Sequence, residues 1–443
     1  MRIALFVHCY YPEHYFGTES YTRLIARNLR DLGHEPTVVT ATFAGEPSQD
    51  DLIERYRIDE IPVLRIDKNL LPHAGLGETY LQPGMAEVQT RILREIAPDV
   101  VHVTHLINHT ASLLGVCERL AIPSFATFTD FFGFCFNNKL EAADSSLCAG
   151  PDRLRANCIA CLMRDSPAPT PMRRWLQGAR ARPLVSKALA RRPGLAGADA
   201  AEIIDLQRRP DRLLDAYRTY RAALAPSRFL RDAYDANGFE NLVLSHFGID
   251  LDRSAKPAAA DGPIRLGYIG QLAPHKGVHH LLDAIRRVDG RDALSLAIFG
   301  SEAQDPAYAA ELRRLADGLP VTFRGTFPVE NVARIMAELD LLVIPSTWYE
   351  NSPLILLQAL ATHTPVVISD VAGMTEFLRT GENGFAFRRG QAEDLAAVLR
   401  RFVDDRDLAR RMSGSTDYER TSRDMTRDLL SMYEQHGVQV RPS

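Results

Sequence analysis

The sequence predicts an α/β protein made of two Rossmann-like, doubly wound parallel-sheet domains in succession. Three observations predict it. Short apolar runs alternate with helical patterns along most of the chain, as in a parallel sheet with crossover helices. A small, polar, proline-bearing stretch at Asp250–Gly262, "DLDRSAKPAAADG", interrupts this alternation as a linker does. Several runs carry no polar alternation, Leu341–Pro345 ("LLVIP") being the plainest, which marks strands buried on both faces.

In chain order, Arg2–His8 is an apolar run with one polar end and reads as the first strand. Thr18–Gly33 places Tyr21, Leu24, Ile25, Leu29 and Leu32 on one helical face. Strands follow at Thr37–Thr40, Pro62–Ile66, Val100–Val103 and Pro123–Phe128, with helices at Val88–Ile96 and Ala111–Leu120. From Phe131 to about Arg221 no strand is evident, and alternation resumes at Ala223–Pro226 and Leu242–Phe247. Beyond the linker, strands are expected at Ile264–Gly270, Leu294–Gly300, Val321–Arg324, Leu341–Pro345 and Pro365–Ser369. Helices at Val278–Val288, Pro306–Gly318 and Val329–Leu339 separate them.

Composition narrows the function. The 443 residues suffice for two or three domains, and 52 Lys plus Arg against 56 Asp plus Glu argue against nucleic-acid binding. No apolar stretch approaches the ~18–20 residues that span a bilayer. The opening "MRIALFVHCYYPE" lacks a leader cleavage pattern, so a cytoplasmic protein with six reduced cysteines is expected.

One carboxylate stands out. In "PSTWYENSPLILLQAL" (Pro345–Leu360) a buried strand ends just before Glu350, and Ser352-Pro353 reads as a serine N-cap with proline in the first helical position. Open parallel sheets bind ligands beyond the carboxyl ends of their strands. A helix N-terminus beside Glu350 would favour an anion, so a ligand carrying hydroxyls and phosphates fits both.

With these residues in view, "YIGQLAPHKGVHHLLDAI", "LAIFGSE", "VTFRGTF" and "LLVIPSTWYENSPLILLQALATHTPVVISDVAGMTEFLRTGENGFAF" strongly resemble the C-terminal half of GT-B-fold glycosyltransferases, in particular the retaining family 4. "IALFVHCYYPEHYFGTESYTRLIARNLRDLGHEPTVVTA", "PDVVHVTH" and "IPSFATFTDFFGFC" resemble that family's N-terminal half. The resemblance implies two domains facing a cleft: an acceptor-side domain over 1–250 with an insert at about 131–221, and a nucleotide-sugar donor domain over 251–424. A C-terminal helix within 425–443 would pack back on the first domain. The implied activity is retaining transfer of a sugar from a nucleotide-sugar donor, without a catalytic metal. The acceptor would be a glycan or lipid-linked hydroxyl in bacterial surface polysaccharide synthesis.

The resemblance also assigns residues, with departures. The family's Glu-x7-Glu motif becomes Glu350 and Gln358, the first for hydroxyls of the donor sugar and the second for the ribose. A helix-surface polar residue is the bland reading of Gln358. Of the two cations expected on the diphosphate, Lys276 is present and Gln271 replaces the arginine. Gly270, Asn351, Ser352 and Leu354 belong to the same donor set, and Glu376 either joins it or caps a helix. Gly17 would let the donor phosphates or the acceptor come close, unless it is a plain turn glycine. The family's "HD" is Thr129-Asp130 here. Threonine is no base near neutral pH, so acid–base work would fall to Asp130 or to a histidine at the preceding strand's end: His102, His109 or, best placed, His105. These three departures also admit a catalytically degenerate sugar-nucleotide binder or scaffold as the rival reading.

Cys135, Cys148, Cys158 and Cys161 cluster in the insert and suit a structural zinc, although free thiols or a disulfide fit the spacing too. Met172–Arg192, "MRRWLQGARARPLVSKALARR", carries seven positive charges and no acidic residue around Trp175, Leu176, Leu184, Val185 and Leu189. It suits peripheral contact with an anionic membrane at the inner face, or a solvated basic surface interrupted by Pro183.

Overall fold

The computed structural model describes residues 1–43, 51–165, 170–176, 180–191, 198–250 and 262–439. The predicted linker therefore lies almost wholly outside the described residues, as do 177–179 and 192 of the basic segment. The chain divides into two compact units, residues 1–246 with 422 onward, and residues 247–421.

In the first unit the elements run β1 (Arg2–Phe6), α1 (Gly17–Asp31), β2 (Glu35–Thr42), β3 (Ile53–Ile58), β4 (Ile61–Asp67), α2 (Pro83–Ile96), β5 (Val100–Val103), α3 (Ser112–Arg119) and β6 (Ser124–Thr127). Four helices follow, α4 (Ala156–Arg164), α5 (Pro171–Leu176), α6 (Ala181–Arg191) and α7 (Ala198–Tyr217), then β7 (Tyr220–Ala225), α8 (Arg228–Ala236) and β8 (Leu242–Leu244). The sheet order is β3-β4-β2-β1-β5-β6-β7-β8, parallel throughout except for β3 against β4. The strand order reverses at β1/β5, where such sheets open a crevice. The strand β3 carries no apolar run in the sequence, because "IERYRI" is an edge strand with charges on its exposed positions. Helix Ser422–Gln435 completes this unit: Asn28 of α1 donates to Ser422 Oγ at 2.7 Å, and Tyr433 is fully buried against Phe125 with ring centroids 4.7 Å apart.

The insert has no strand over its described part, but it does have a core. Ile159, Leu176, Ile203 and Leu206 are buried together with Val185 and Leu189. Pro183 does not interrupt α6, because it lies in the first turn, where a missing N–H costs nothing.

His102 and His109 are core residues of this unit rather than cleft residues. Both are fully buried; His102 Nε2 lies 2.9 Å from Thr127 Oγ1, and His109 Nε2 donates to Val7 O at 2.8 Å. Burial pushes His102 down to about 3 and His109 to about 4. Below the unfolded value of about 6.5, unfolding takes up protons that the native core refuses, so stability falls with pH until the folded values are reached. Each histidine should cost about 2 kcal/mol at pH 5 relative to pH 7.5. Thermal melts across that range should show the loss, and His102→Gln should flatten it; a pH-independent melting point would overturn the assignment.

The second unit is β9 (Ile264–Ile269), α9 (Val278–Arg286), β10 (Leu294–Phe299), α10 (Pro306–Leu315), β11 (Val321–Gly325), α11 (Val332–Ala337), β12 (Leu341–Ile344), α12 (Leu354–Ala361), β13 (Val366–Ser369), β14 (Gly384–Phe387), α13 (Ala392–Asp404) and α14 (Leu408–Ser413). Its sheet, β11-β10-β9-β12-β13-β14, is parallel throughout. The strand order reverses at β9/β12, and the two loops leaving those strands carry Lys276 and Glu350.

Candidate active site

In the second unit, β9 leads through Gly270 and Gln271 to a 3-10 turn, Pro274–Lys276, while β12 leads into Ser346–Ser352. The two loops meet at backbone contact. A Cβ on Gly277 (φ +73°) would lie 1.9 Å from Pro345 O, and one on Gly373 (φ +88°) would lie 1.4 Å from Glu350 O. Glycine is required at both places by sterics and by φ.

This packing brings Lys276 Nζ to 2.7 Å from Glu350 Oε1, and Ser346 Oγ donates to the same oxygen at 2.6 Å. Ser346 is itself fixed, since its carbonyl accepts from Ser369 Oγ at 2.6 Å. The Lys276 ammonium also lies 5.3 Å from the centre of the Trp348 ring, which stands 4.0 Å from the His275 ring. Glu350 is 8% exposed, a carboxylate largely withdrawn from water and held by one cation and one hydroxyl.

Around the pair, the structure corrects one expectation. Helix α12 begins at Leu354 with Pro353 as N-cap, and no side chain caps it. Ser352 lies outside the helix at φ +142°, with its Oγ buried and unpartnered. Backbone strain of this kind in a non-glycine residue persists only where its surroundings enforce it, and it is common where a ligand is clamped. Asn351 and Leu354 flank it, and Gln358 lies one turn beyond Leu354 on the same half-buried helix face. Gly270 is exposed, and its N–H donates to Phe299 O at 3.0 Å. Gln271 is half-buried, with its carbonyl held by Tyr268 OH at 2.6 Å. Glu376 lies in the 3-10 turn Thr375–Phe377, just after the tight Gly373 contact.

In the first unit, the carboxyl ends of three neighbouring strands carry His8 (after β1), His105 (after β5) and Asp130 (after β6). His105 Nε2 lies 2.5 Å from Asp130 Oδ2. Ile107 N–H donates to His105 Nδ1 at 3.1 Å, so Nε2 carries the proton and donates to the carboxylate. Asp130 Oδ1 accepts from Phe132 N at 2.6 Å, and Thr129 Oγ1 is turned away onto Thr104 O at 2.8 Å. The imidazole and carboxylate thus pair across two strands instead of standing in adjacent positions.

His8 and Glu19 join them, and neither was singled out from the sequence. The His8 and His105 rings lie 4.1 Å apart, and His8 Nε2 is 3.4 Å from Glu19 Oε1. Burial, then the neighbouring His105, hold His8 well below its ordinary value, and burial holds the Glu19 carboxyl above its own. Both shifts favour the uncharged forms. Gly17 opens α1 two residues before Glu19, exposed, and a Cβ there would meet no atom within 4 Å. No packing within the described structure explains its missing side chain.

The family model for glycosyl transferases group 1 matches residues 263–405, and that for Glycosyltransferase Family 4 matches residues 16–144. The chain belongs to the GT-B-fold glycosyltransferases. Its chemistry is nucleotide-sugar-dependent transfer. A 2-deoxystreptamine glucosyltransferase of Streptomyces kanamyceticus is 25% identical over 86% of this transferase and 88% of its own length. A lipopolysaccharide core biosynthesis glycosyltransferase of Rhizobium meliloti, LpsE, is 30% identical over 37% of this chain and 46% of its own. Among solved structures, sucrose-phosphate synthase of Thermosynechococcus elongatus superposes with a TM-score of 0.64 at 18% identity, covering 98% of both chains. Anabaena HepE, solved with UDP and glucose, gives 0.62 at 16% identity over 98% of this chain and 99% of its own.

Within the transferase, Ser346, His275 and Trp348 are the donor-loop neighbours that the sequence reading passed over. A signal for Ser346 existed: it stands four residues before Glu350, where the buried run gives way to polar residues. The four insert cysteines are all free thiols and line one small cavity together.

Proposed function

We propose that this transferase moves a sugar from a nucleotide-sugar donor, with retention at the anomeric carbon, to a hydroxyl of a glycan or lipid-linked acceptor in bacterial surface polysaccharide synthesis. The observation that carries the reading is the Lys276–Glu350–Ser346 cluster at the strand-order reversal of the second unit. A sugar-1-phosphate presents hydroxyls and anionic oxygens within one small group, and a lysine beside a carboxylate is complementary to both. Lys276 takes the diphosphate. Glu350, oriented by Ser346, accepts from sugar hydroxyls; Ser352, Asn351 and the start of α12 complete the anion side, and Gln358 meets the ribose. Of the proteins compared, HepE is solved with UDP-glucose and LpsE acts in lipopolysaccharide core synthesis, which supports a nucleotide donor and a surface-glycan acceptor.

His105 and Asp130 serve the acceptor side. His105 fixes the Asp130 carboxylate through its Nε2–H, and the negative charge of that carboxylate favours the positive charge that develops at the anomeric carbon as the hydroxyl attacks.

The deciding experiment incubates the protein with a panel of nucleotide sugars and glycan acceptors and follows nucleotide release. Release that depends on acceptor supports transfer, and the anomeric coupling constant of the product reads its stereochemistry. An inverted product would overturn retention, and donor binding without acceptor-dependent release would favour a scaffold.

We infer peripheral contact with an anionic membrane inside the cell through a smaller surface than the sequence suggests. Leu176, Val185 and Leu189 are core residues, and Arg173 is taken by Asp199 at 2.7 Å and by Glu202. Trp175 (57% exposed) and Leu184 (65%) still stand out beside exposed Arg174, Arg180 and Lys187. Among the described residues no helix is long and apolar enough to cross a membrane. Trp175→Ala with Leu184→Ser should reduce co-flotation with anionic vesicles several-fold, and unchanged flotation would remove the contact.

A further inference from the structure

A buried cation in the insert lacks its counter-charge. Arg209 of α7 is 3% exposed; its Nη2 donates to Phe132 O at 2.7 Å, but Nη1 is buried without a partner. Among the described residues no carboxylate pairs with it; its guanidinium has the ring faces of Phe132 at 4.8 Å and Tyr80 at 6.0 Å, and a buried cation without an anionic partner is costly to a fold. The groups whose negative forms would act on this guanidinium are Cys135, Tyr217, Cys158 and Tyr234. All four are neutral as thiols and phenols.

Two of them belong to the cysteine cluster. Cys135, Cys148, Cys158 and Cys161 line one cavity of about 20 Å³, room for a single ion, together with Asn137, Asn157 and Gly150. Cys158 and Cys161 lie one turn apart on the same face of α4. N–H groups already address three of the sulfurs: Leu140 N to Cys135 Sγ and Gly150 N to Cys148 Sγ, both at 3.4 Å, and Asn137 Nδ2 to Cys161 Sγ at 3.9 Å. Such donors stabilise thiolates.

We propose that Cys135, Cys148, Cys158 and Cys161 bind one zinc ion, and that Arg209 neutralises part of the charge of the resulting centre. Binding displaces the four thiol protons to solvent, and four thiolates with one divalent ion leave two net negative charges beside the guanidinium. Burial holds Cys135, Cys158 and Cys161 above the ordinary thiol value, so the ion must supply the energy of deprotonation. Among the described residues no three His, Cys, Asp or Glu side chains stand in metal-holding geometry, so binding requires the thiols to turn. Cys135 Sγ faces Asn137 Oδ1 at 2.9 Å and Cys148 Sγ faces Gly150 O at 3.4 Å, contacts of protonated thiols that the sulfurs leave as they turn to the ion. With four thiolate ligands no open position remains for chemistry, so the site is structural. It braces the loop that starts at Asp130: Cys135 N donates to Phe131 O at 2.8 Å, and Phe131 N donates to Asn138 Oδ1 at 2.9 Å.

The test is elemental analysis of the full-length protein purified without chelator from zinc-supplemented medium. About one zinc per chain is expected, and less than about a tenth of that in the Cys158→Ser/Cys161→Ser variant, while Cys117→Ala keeps its metal. Arg209→Met should weaken zinc binding about tenfold in competition with a chromogenic chelator. Should the double variant fail to fold, Co(II) added to the reduced wild-type protein must give thiolate charge-transfer absorption. Zinc below a tenth of an equivalent, absence of that absorption, or full zinc retention in a folded double variant would each overturn the site.

Discussion

Glu350→Ala loses sugar transfer by about 10²-fold or more, the range for removal of one positioned polar contact at a reacting group. The melting point should move little, because Lys276, freed of its partner, has a side chain 21% exposed and can take water. Lys276→Ala should weaken donor binding by calorimetry far more than Gln271→Ala, since only the lysine supplies a charge-assisted bond to phosphate. The 2.7 Å pair adds a requirement. Because each residue orients the other, the double variant should lose much less than the product of the two single losses. A nucleoside without phosphates should bind Lys276→Ala as it binds the wild type. Full activity in Glu350→Ala, or equal donor affinity in Lys276→Ala, would sink these assignments.

Asp130→Asn should lower kcat by about 10²-fold while leaving the donor's dissociation constant within a factor of about two. His105 positions Asp130: its Nε2–H donates to the carboxylate, while Ile107 N–H holds its other ring nitrogen. An amide can still accept that bond but carries no negative charge. His105→Ala should fall to a similar level, and the double variant little further, as for residues acting as a unit. Strictly additive losses, or a change confined to donor affinity, would separate the two residues. Thr129→Ala is the contrast, because its hydroxyl is turned onto Thr104 O.

Strands buried on both faces could be read from their composition, and Glu350 and Lys276 could be placed at strand ends, because a parallel sheet writes both patterns locally. What escaped depended on distant partners. The Ser352-Pro353 pair has the composition of a helix start, but the tight contact of Gly373 with the Glu350 carbonyl accompanies a loop in which Ser352 sits at φ +142° and the helix begins at Leu354. His105 was placed ahead of His102 and His109 at the strand end, but that the other two enter the core, and that His105 pairs with Asp130, depended on the neighbouring strands. His8 and Glu19 become neighbours only when β1 and α1 are in place. In the insert, helices are held by a core assembled from four separate segments, and Arg209 meets the cysteines from more than forty residues away.

Helix Ser422–Gln435 carries a consequence for synthesis. Its Tyr433 fills the core of the first unit beside Phe125, yet the ribosome makes it after every residue of the second unit. Folding therefore cannot follow the order of translation, as it does when domains are consecutive. The second unit can reach its final state while the first still shows an apolar slot along α1 and β6. During that interval the slot is exposed apolar surface, the kind that makes a partly folded chain prone to aggregate. A fragment ending at His246 would hold that state permanently.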